Sequence, residues 1–236
     1  MTLEVRGLRV SYGRMLAVSD VSLKVAPAQL VAIVGANGAG KSTTLRAISG
    51  LLRPQAGSIT HEGRSLVGLA PHTIARSGIV HVPEGRGLLP GITVAENLRL
   101  GEMHGGSGGI RFDRDKVLSL FPTLRQRLSA PAAVLSGGEQ QMLSIARVLL
   151  KSPRILMIDE MSLGLAPRLV QQLMEIVVEI ARSGVGVLCV EQSTKLVLRH
   201  ADYAYVVENG VTKLEGSGAS LIDNDEVVGS YLGRVA

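Results

Sequence analysis

The octapeptide Gly35-Ala36-Asn37-Gly38-Ala39-Gly40-Lys41-Ser42 narrows the possible folds of this chain more than any other feature. It fits the pattern G-x-x-x-x-G-K-[ST] and follows a continuous apolar run, Leu30–Val34. After it comes a segment with helical spacing, Lys41 to about Leu52, with Ala47, Ile48, Leu51 and Leu52 on one face. Glycines let successive backbone N–H groups curl around a polyphosphate where a Cβ would collide. A helix N-terminus at the same place adds partial positive charge. Lys41 is suited to neutralise β- and γ-phosphate oxygens, and Ser42 to offer its hydroxyl to Mg²⁺. A buried strand, a glycine turn and a helix also make the opening unit of a parallel α/β sheet.

The rest of the chain supports that class. Leu3–Tyr12, Val21–Val25 and Ser58–His61 read as short strands, which predicts a β-rich N-terminal third. Residues 84–150 read as mostly helical, interrupted by a glycine-rich linker at 105–109. That linker matches G-x-S-x-G, but His104 precedes it and the charged segment Arg111–Lys116 follows, so the apolar strand of a nucleophile elbow is missing. Ile155–Ile158, Val185–Val190 and Tyr203–Val207 read as buried strands, and Pro167–Arg182 as an amphipathic helix with proline in its first turn.

Composition excludes several classes. With 236 residues the chain can bury a sizeable core, and with 3% aromatic residues and no Trp that core is aliphatic. One cysteine, Cys189, forms no disulfide framework and reads as a buried strand thiol. No apolar run approaches the roughly 20 residues that span a bilayer, and the N-terminus lacks a signal-peptide core. A cytosolic chain is expected, unless a partner holds it at a membrane. The net charge of +5 is carried by scattered Arg without interleaved aromatics, so nucleic acid is not the expected partner. The five His have no metal-ligand spacing.

Two further motifs carry chemistry. Ile155-Leu156-Met157-Ile158-Asp159-Glu160 is an apolar strand ending in two acids, and strand ends in α/β sheets face the ligand crevice. Asp159 is suited to Mg²⁺, and Glu160 to polarising a water. Apolar runs often end in acids, so the phosphate loop gives this motif its weight. Leu135-Ser136-Gly137-Gly138-Glu139-Gln140-Gln141 contains an S-x-x-E capping box and opens a helix running to about Leu150. The same residues suit a second phosphate clamp, because a capped helix still exposes other N–H donors.

In their order and spacing these three motifs resemble the ATP-binding cassette (ABC) ATPases along essentially the whole chain. The resemblance implies an α/β P-loop NTPase fold. Its RecA-like parallel core and N-terminal antiparallel β-subdomain would be residues 1–83 and 151–236, with an inserted helical subdomain at 84–150. It implies ATP and Mg²⁺ as cofactors, with Thr43 joining the phosphate loop and Tyr12 stacking on adenine. Ser136, Gly137 and Gly138 would contact the γ-phosphate held by an opposite subunit, in a head-to-tail dimer with a second copy or a sister ATPase. Ser162-Leu163-Gly164-Leu165 matches the loop crossing that interface.

Where most relatives have Gln, this chain has Glu84 in Val82-Pro83-Glu84-Gly85-Arg86; where most have His, it has Gln192 in Val190-Glu191-Gln192. Glu84 can still offer an oxygen to Mg²⁺ but cannot donate when ionised, and its charge needs offsetting by Mg²⁺ or Arg86. Gln192 can donate to a γ-phosphate but does not titrate. With Met161 after Glu160, the combination resembles the LivF-type ATPases of branched-chain amino acid importers. That implies a peripheral subunit on the cytoplasmic membrane face, two permease subunits seated near Gly85–Leu100, and indirectly a solute-binding protein. A non-transport ABC ATPase acting on ribosomes or nucleic acid, a stand-alone P-loop kinase, and an importer of urea or amides are the competing readings.

Overall fold

The computed structural model describes residues 2–103, 109–224 and Val227. The glycine-rich linker therefore lies outside the described residues except for Gly109. The chain opens with β1 (Leu3–Tyr12), β2 (Met15–Val25) and β3 (Leu30–Val34), then α1 (Lys41–Ile48), β4 (Ala56–His61), β5 (Arg64–Ser65), α2 (Pro71–Arg76) and β6 (Ile79–Val82). Helices α3 (Val94–Glu102), α4 (Arg114–Leu120), α5 (Pro122–Arg125) and α6 (Gly137–Leu149) follow, with no strand between them among the described residues. The chain continues through β7 (Ile155–Asp159), α7 (Pro167–Arg182), β8 (Gly186–Val190), α8 (Thr194–His200), β9 (Tyr203–Glu208), β10 (Val211–Gly216) and α9 (Gly218–Ile222).

All ten strands join one sheet in the order β5-β4-β1-β2-β10-β9-β3-β8-β7-β6. From β9 to β6 every neighbour is parallel, and from β5 to β2 every neighbour is antiparallel. A single parallel bridge, Val211 with Asp20, joins the two regions through β10. This is the α/β architecture expected from the motifs. Strand β2 begins earlier than its apolar pattern suggested. Tyr12 pairs with Met15 across a two-residue turn that Gly13 opens at φ +57°, so exposed Met15 and Leu16 are drawn into the hairpin.

The parallel strands are buried on both faces, which is why they read as unbroken apolar runs. Leu30, Ala32 and Val34 pack with helices α3, α6, α7 and α8, whereas Val31 and Ile33 pack with β1, β2, β4 and α1. Cys189 is buried among them, and burial pushes its thiol pKa up. Helix α7 turns Leu173, Met174, Val177 and Ile180 inward, each worth roughly 1.5–3 kcal/mol when fully buried. Helix α1 ends at Ile48 rather than Leu52, because Gly50 at φ +74° reverses the chain and leaves Leu51 59% exposed. Register then decides where the chemistry falls. Ile33 lies beside Val190, Val190 beside Asp159, and Val82 beside Ile158. The C-terminal ends of β3, β8, β7 and β6 thus open on one edge, bringing the phosphate loop, Gln192, Glu160 and Glu84 together.

Candidate active site

The turn after β3 depends on glycine at two positions. Gly35 has φ +154°, and a Cβ there would lie 2.1 Å from the Val207 carbonyl oxygen. Gly40 has φ +102°, and a Cβ there would lie 2.7 Å from the Ala17 carbonyl oxygen. The loop so held wraps the Lys41 ammonium, which donates to the carbonyls of Gly35 (2.8 Å) and Ala36 (3.0 Å). Burial pulls the Lys41 pKa below its usual value, against the charges of Glu160, Asp159 and Glu191, which raise it. Ser42 Oγ donates to Asp159 Oδ1 at 2.9 Å. Asp159 is 2% exposed, and burial raises its carboxyl pKa despite that hydrogen bond.

A cleft of about 380 Å³ opens over this loop. Tyr12, Met15 and Ala17 line one side; Asn37, Gly38, Gly40, Lys41, Ser42 and Thr43 line the floor; Glu84, Glu160 and Gln192 close the other side. Tyr12 is 37% exposed and its hydroxyl accepts from Arg46 Nη1 at 3.3 Å. Glu84 and Asp159 both act electrostatically on Arg46. Arg86 donates to Gln140 Oε1 in α6. Carboxylates outnumber cations here, and the available donors are oxygens. That set fits a hard divalent cation held by one or two carboxylates plus phosphate. Among the described residues no cluster of three or more His, Cys, Asp or Glu could hold a metal by itself.

Glu160 sits at φ +48°, a conformation costing a side-chain-bearing residue about 1–2 kcal/mol. Its N–H donates to the Val190 carbonyl at 2.9 Å, and its carboxylate accepts from Gln192 Nε2 at 2.8 Å. Gln192 thus spends a donor on Glu160. Its neighbour Glu191 is fully buried and accepts from both the N–H (3.2 Å) and the hydroxyl (2.5 Å) of Ser162. Burial raises the Glu191 pKa to about 7. Sequence reasoning missed Glu191 and Arg46. The signal for Glu191 was available, since it is an acid directly following an apolar strand, as Asp159 is an acid ending one.

Ser136 caps α6 reciprocally with Glu139. The Glu139 N–H donates to Ser136 Oγ (3.3 Å), and the Ser136 N–H and Oγ each donate to Glu139 Oε2 (2.8 Å). Gly138 is buried against α7, where a Cβ would meet Leu169 Cδ2 at 1.9 Å. Of the residues singled out in the sequence, Ser136, Gly137 and Gly138 do not line the cleft, Asp159 lies beneath it bonded to Ser42, and Gly35, Ala36 and Ala39 do not line it either. The signature residues lie elsewhere on the chain, so one subunit presents the phosphate loop and the SGG turn as separate surfaces.

Residues 18–162 match the family model described as ABC transporter. The chain is 46% identical over 222 residues to the high-affinity branched-chain amino acid transport ATP-binding protein BraG of Pseudomonas aeruginosa, covering 94% of this chain and 95% of that one. This chain belongs to the ABC transporter family. A second relative, the high-affinity branched-chain amino acid transport ATP-binding protein LivG of Escherichia coli, is 32% identical over 98% of both chains. Among solved structures, the ADP conformation of an ATP-binding cassette of an ABC transporter superposes with a TM-score of 0.85 at 28% identity, covering 99% of this chain and all of that one. A nucleotide-free ATP-binding cassette superposes with a TM-score of 0.84, also at 28% identity. The cassette fold is therefore common to both proteins over essentially their full length. Among the described residues no helix is long and apolar enough to cross a membrane.

Proposed function

We propose that this chain is the ATP-hydrolysing subunit of an ABC importer for branched-chain amino acids. In this reading ATP closes a head-to-tail ATPase dimer and hydrolysis reopens it. The observation that carries it is the separation of the phosphate-loop cleft from the SGG turn on one subunit. Lys41 and the amides of residues 35–43 hold the phosphates, Tyr12 offers its ring to the adenine, and the opposite subunit's Ser136, Gly137 and Gly138 complete the γ-phosphate site. Ser42 and Asp159 would hold Mg²⁺, with Glu84 in the cleft wall beside them. When bound, the cation draws charge from the phosphate oxygens. Glu160 orients the attacking water and Gln192 orients Glu160. Positioning and charge neutralisation supply most of the rate, as in other phosphoryl transfers to water.

The division into a core (residues 1–83 and 151–236) and a helical part (84–150) is supported by the run of helices between the adjacent strands β6 and β7. The partners are a sister ATPase or second copy, two permease subunits on the cytoplasmic membrane face, and through them a solute-binding protein. A groove of about 270 Å³ lined by Glu84, Gly85, Arg86, Leu88, Pro90, Ala132 and Gln140 suits a permease segment. Leu89 (49% exposed) and Val134 (69% exposed) lie beside it in sequence. The test is ATPase activity of the assembled importer in vesicles with its solute-binding protein. Stimulation by leucine, isoleucine or valine is expected; stimulation by urea or short amides alone would reassign the solute, and co-purification with RNA instead of permease would overturn transport.

A further inference from the structure

Glu191 is a fully buried carboxylate beside the catalytic edge, and no step proposed above uses it. An unpaired carboxylate at such a position costs several kcal/mol unless its oxygens are satisfied. The donors that satisfy it all come from the residues immediately after Glu160: the backbone N–H of Met161, and the N–H and hydroxyl of Ser162. Two further bonds stitch the same two strand ends, and a third lies within the turn itself. The Glu160 N–H reaches the Val190 carbonyl at 2.9 Å, Gln192 Nε2 reaches Glu160 Oε2 at 2.8 Å, and the Leu163 N–H returns to the Glu160 carbonyl at 3.4 Å. Glu160 is left-handed, a costly conformation for a residue with a side chain, and the bonds to Glu191 tie the turn that follows it to the neighbouring strand end.

We infer that Glu191 is a positioning residue, which clamps the turn at Met161–Ser162 and thereby aims the Glu160 carboxylate. It works as a pair with Gln192, one residue holding the backbone after Glu160 and the other holding its side chain. The inference rests on Glu160 aligning the attacking water.

Steady-state ATPase and binding of a fluorescent ATP analogue, measured on the full chain with its ATPase partner, test it. Glu191→Ala and Ser162→Ala should each lower kcat about tenfold while nucleotide affinity stays within about twofold. The double variant should be no slower than Glu191→Ala, because Ser162→Ala removes one of the bonds that Glu191→Ala removes altogether. Glu191→Gln, which keeps an acceptor oxygen for the turn, should recover most of the rate. An unchanged kcat in Ser162→Ala, multiplicative losses in the double variant, or losses that match the drop in folded protein by thermal melting would overturn the inference. Ser162→Ala carries the test even if Glu191→Ala fails to fold. Glu160→Gln is run alongside: if it retains parental activity the reading of Glu160 fails, whereas a dead Glu160→Gln beside normal Glu191 and Ser162 variants sinks the clamp alone.

Discussion

Burial works against the charge on both Lys41 and Asp159, and each is held in place by a partner inside the loop. In the proposed function a bound Mg-polyphosphate would give Lys41 anionic partners and Asp159 a cationic one. Removing the lysine should therefore weaken nucleotide binding more than it weakens the fold. Lys41→Ala is expected to lower ATP affinity about a hundredfold, from one charge-assisted contact of roughly 1.5–3 kcal/mol. Isothermal titration with the Mg complex checks this, and an affinity within threefold of the parent would contradict it. His81 supplies a pH test away from the cleft. Its Nδ1 lies 3.0 Å from Ser49 Oγ, and burial, helped by Arg46, lowers its pKa from 6.5 to about 4. Between those values the unfolded chain takes up a proton that the native chain does not, so acidification favours unfolding. The contribution is complete above about pH 6.5, shrinks as pH falls towards 4, and amounts to at most about 3 kcal/mol. Urea midpoints at pH 7 and 4.5 should fall less in His81→Gln than in the parent; equal falls would count against the assignment.

Helix and strand ends decide which side chains meet. The capping box at Ser136 was legible in the sequence because its S-x-x-E spacing is local. So were the phosphate loop and the acid-ended strand β7, since each couples an apolar run to a turn of fixed chemistry. The limits of α7 were also readable, from a proline at its start and an inward stripe at helical spacing. Less was visible where distant segments do the work. Residues 84–92 read as helical but precede α3 as loop, held by Asn97, whose amide donates to Leu89 O and whose carbonyl accepts from Leu89 N. Arg86 was considered for Glu84 and instead meets Gln140, a contact spanning 54 residues. The close approach of α6 to α7 at Gly138 is of the same kind. Gly138→Ala should cost about 1–3 kcal/mol by overpacking against Leu169, and Leu169→Ala should restore most of it. Thermal denaturation of the single and double variants measures this, and a Gly138→Ala melting temperature equal to the parent's would contradict it.

Across the whole molecule, one sheet carries both the antiparallel arm and the parallel core, and the phosphate loop, Glu84, Glu160 and Gln192 sit at the core's C-terminal edge. The cleft there has a loop floor and two walls, while the SGG turn at the start of α6 is part of another surface. In the proposed function a second cassette must bring its own turn over the nucleotide. The measurement closest to that requirement is the mass of Glu160→Gln by light scattering, with and without Mg-ATP and with the sister ATPase present where one exists. Nucleotide should roughly double the mass, and Ser136→Arg at the turn should abolish the doubling while ATP still binds the isolated subunit. A Glu160→Gln chain that binds Mg-ATP tightly and stays monomeric, with its lone subunit enclosing the γ-phosphate, would contradict the split site.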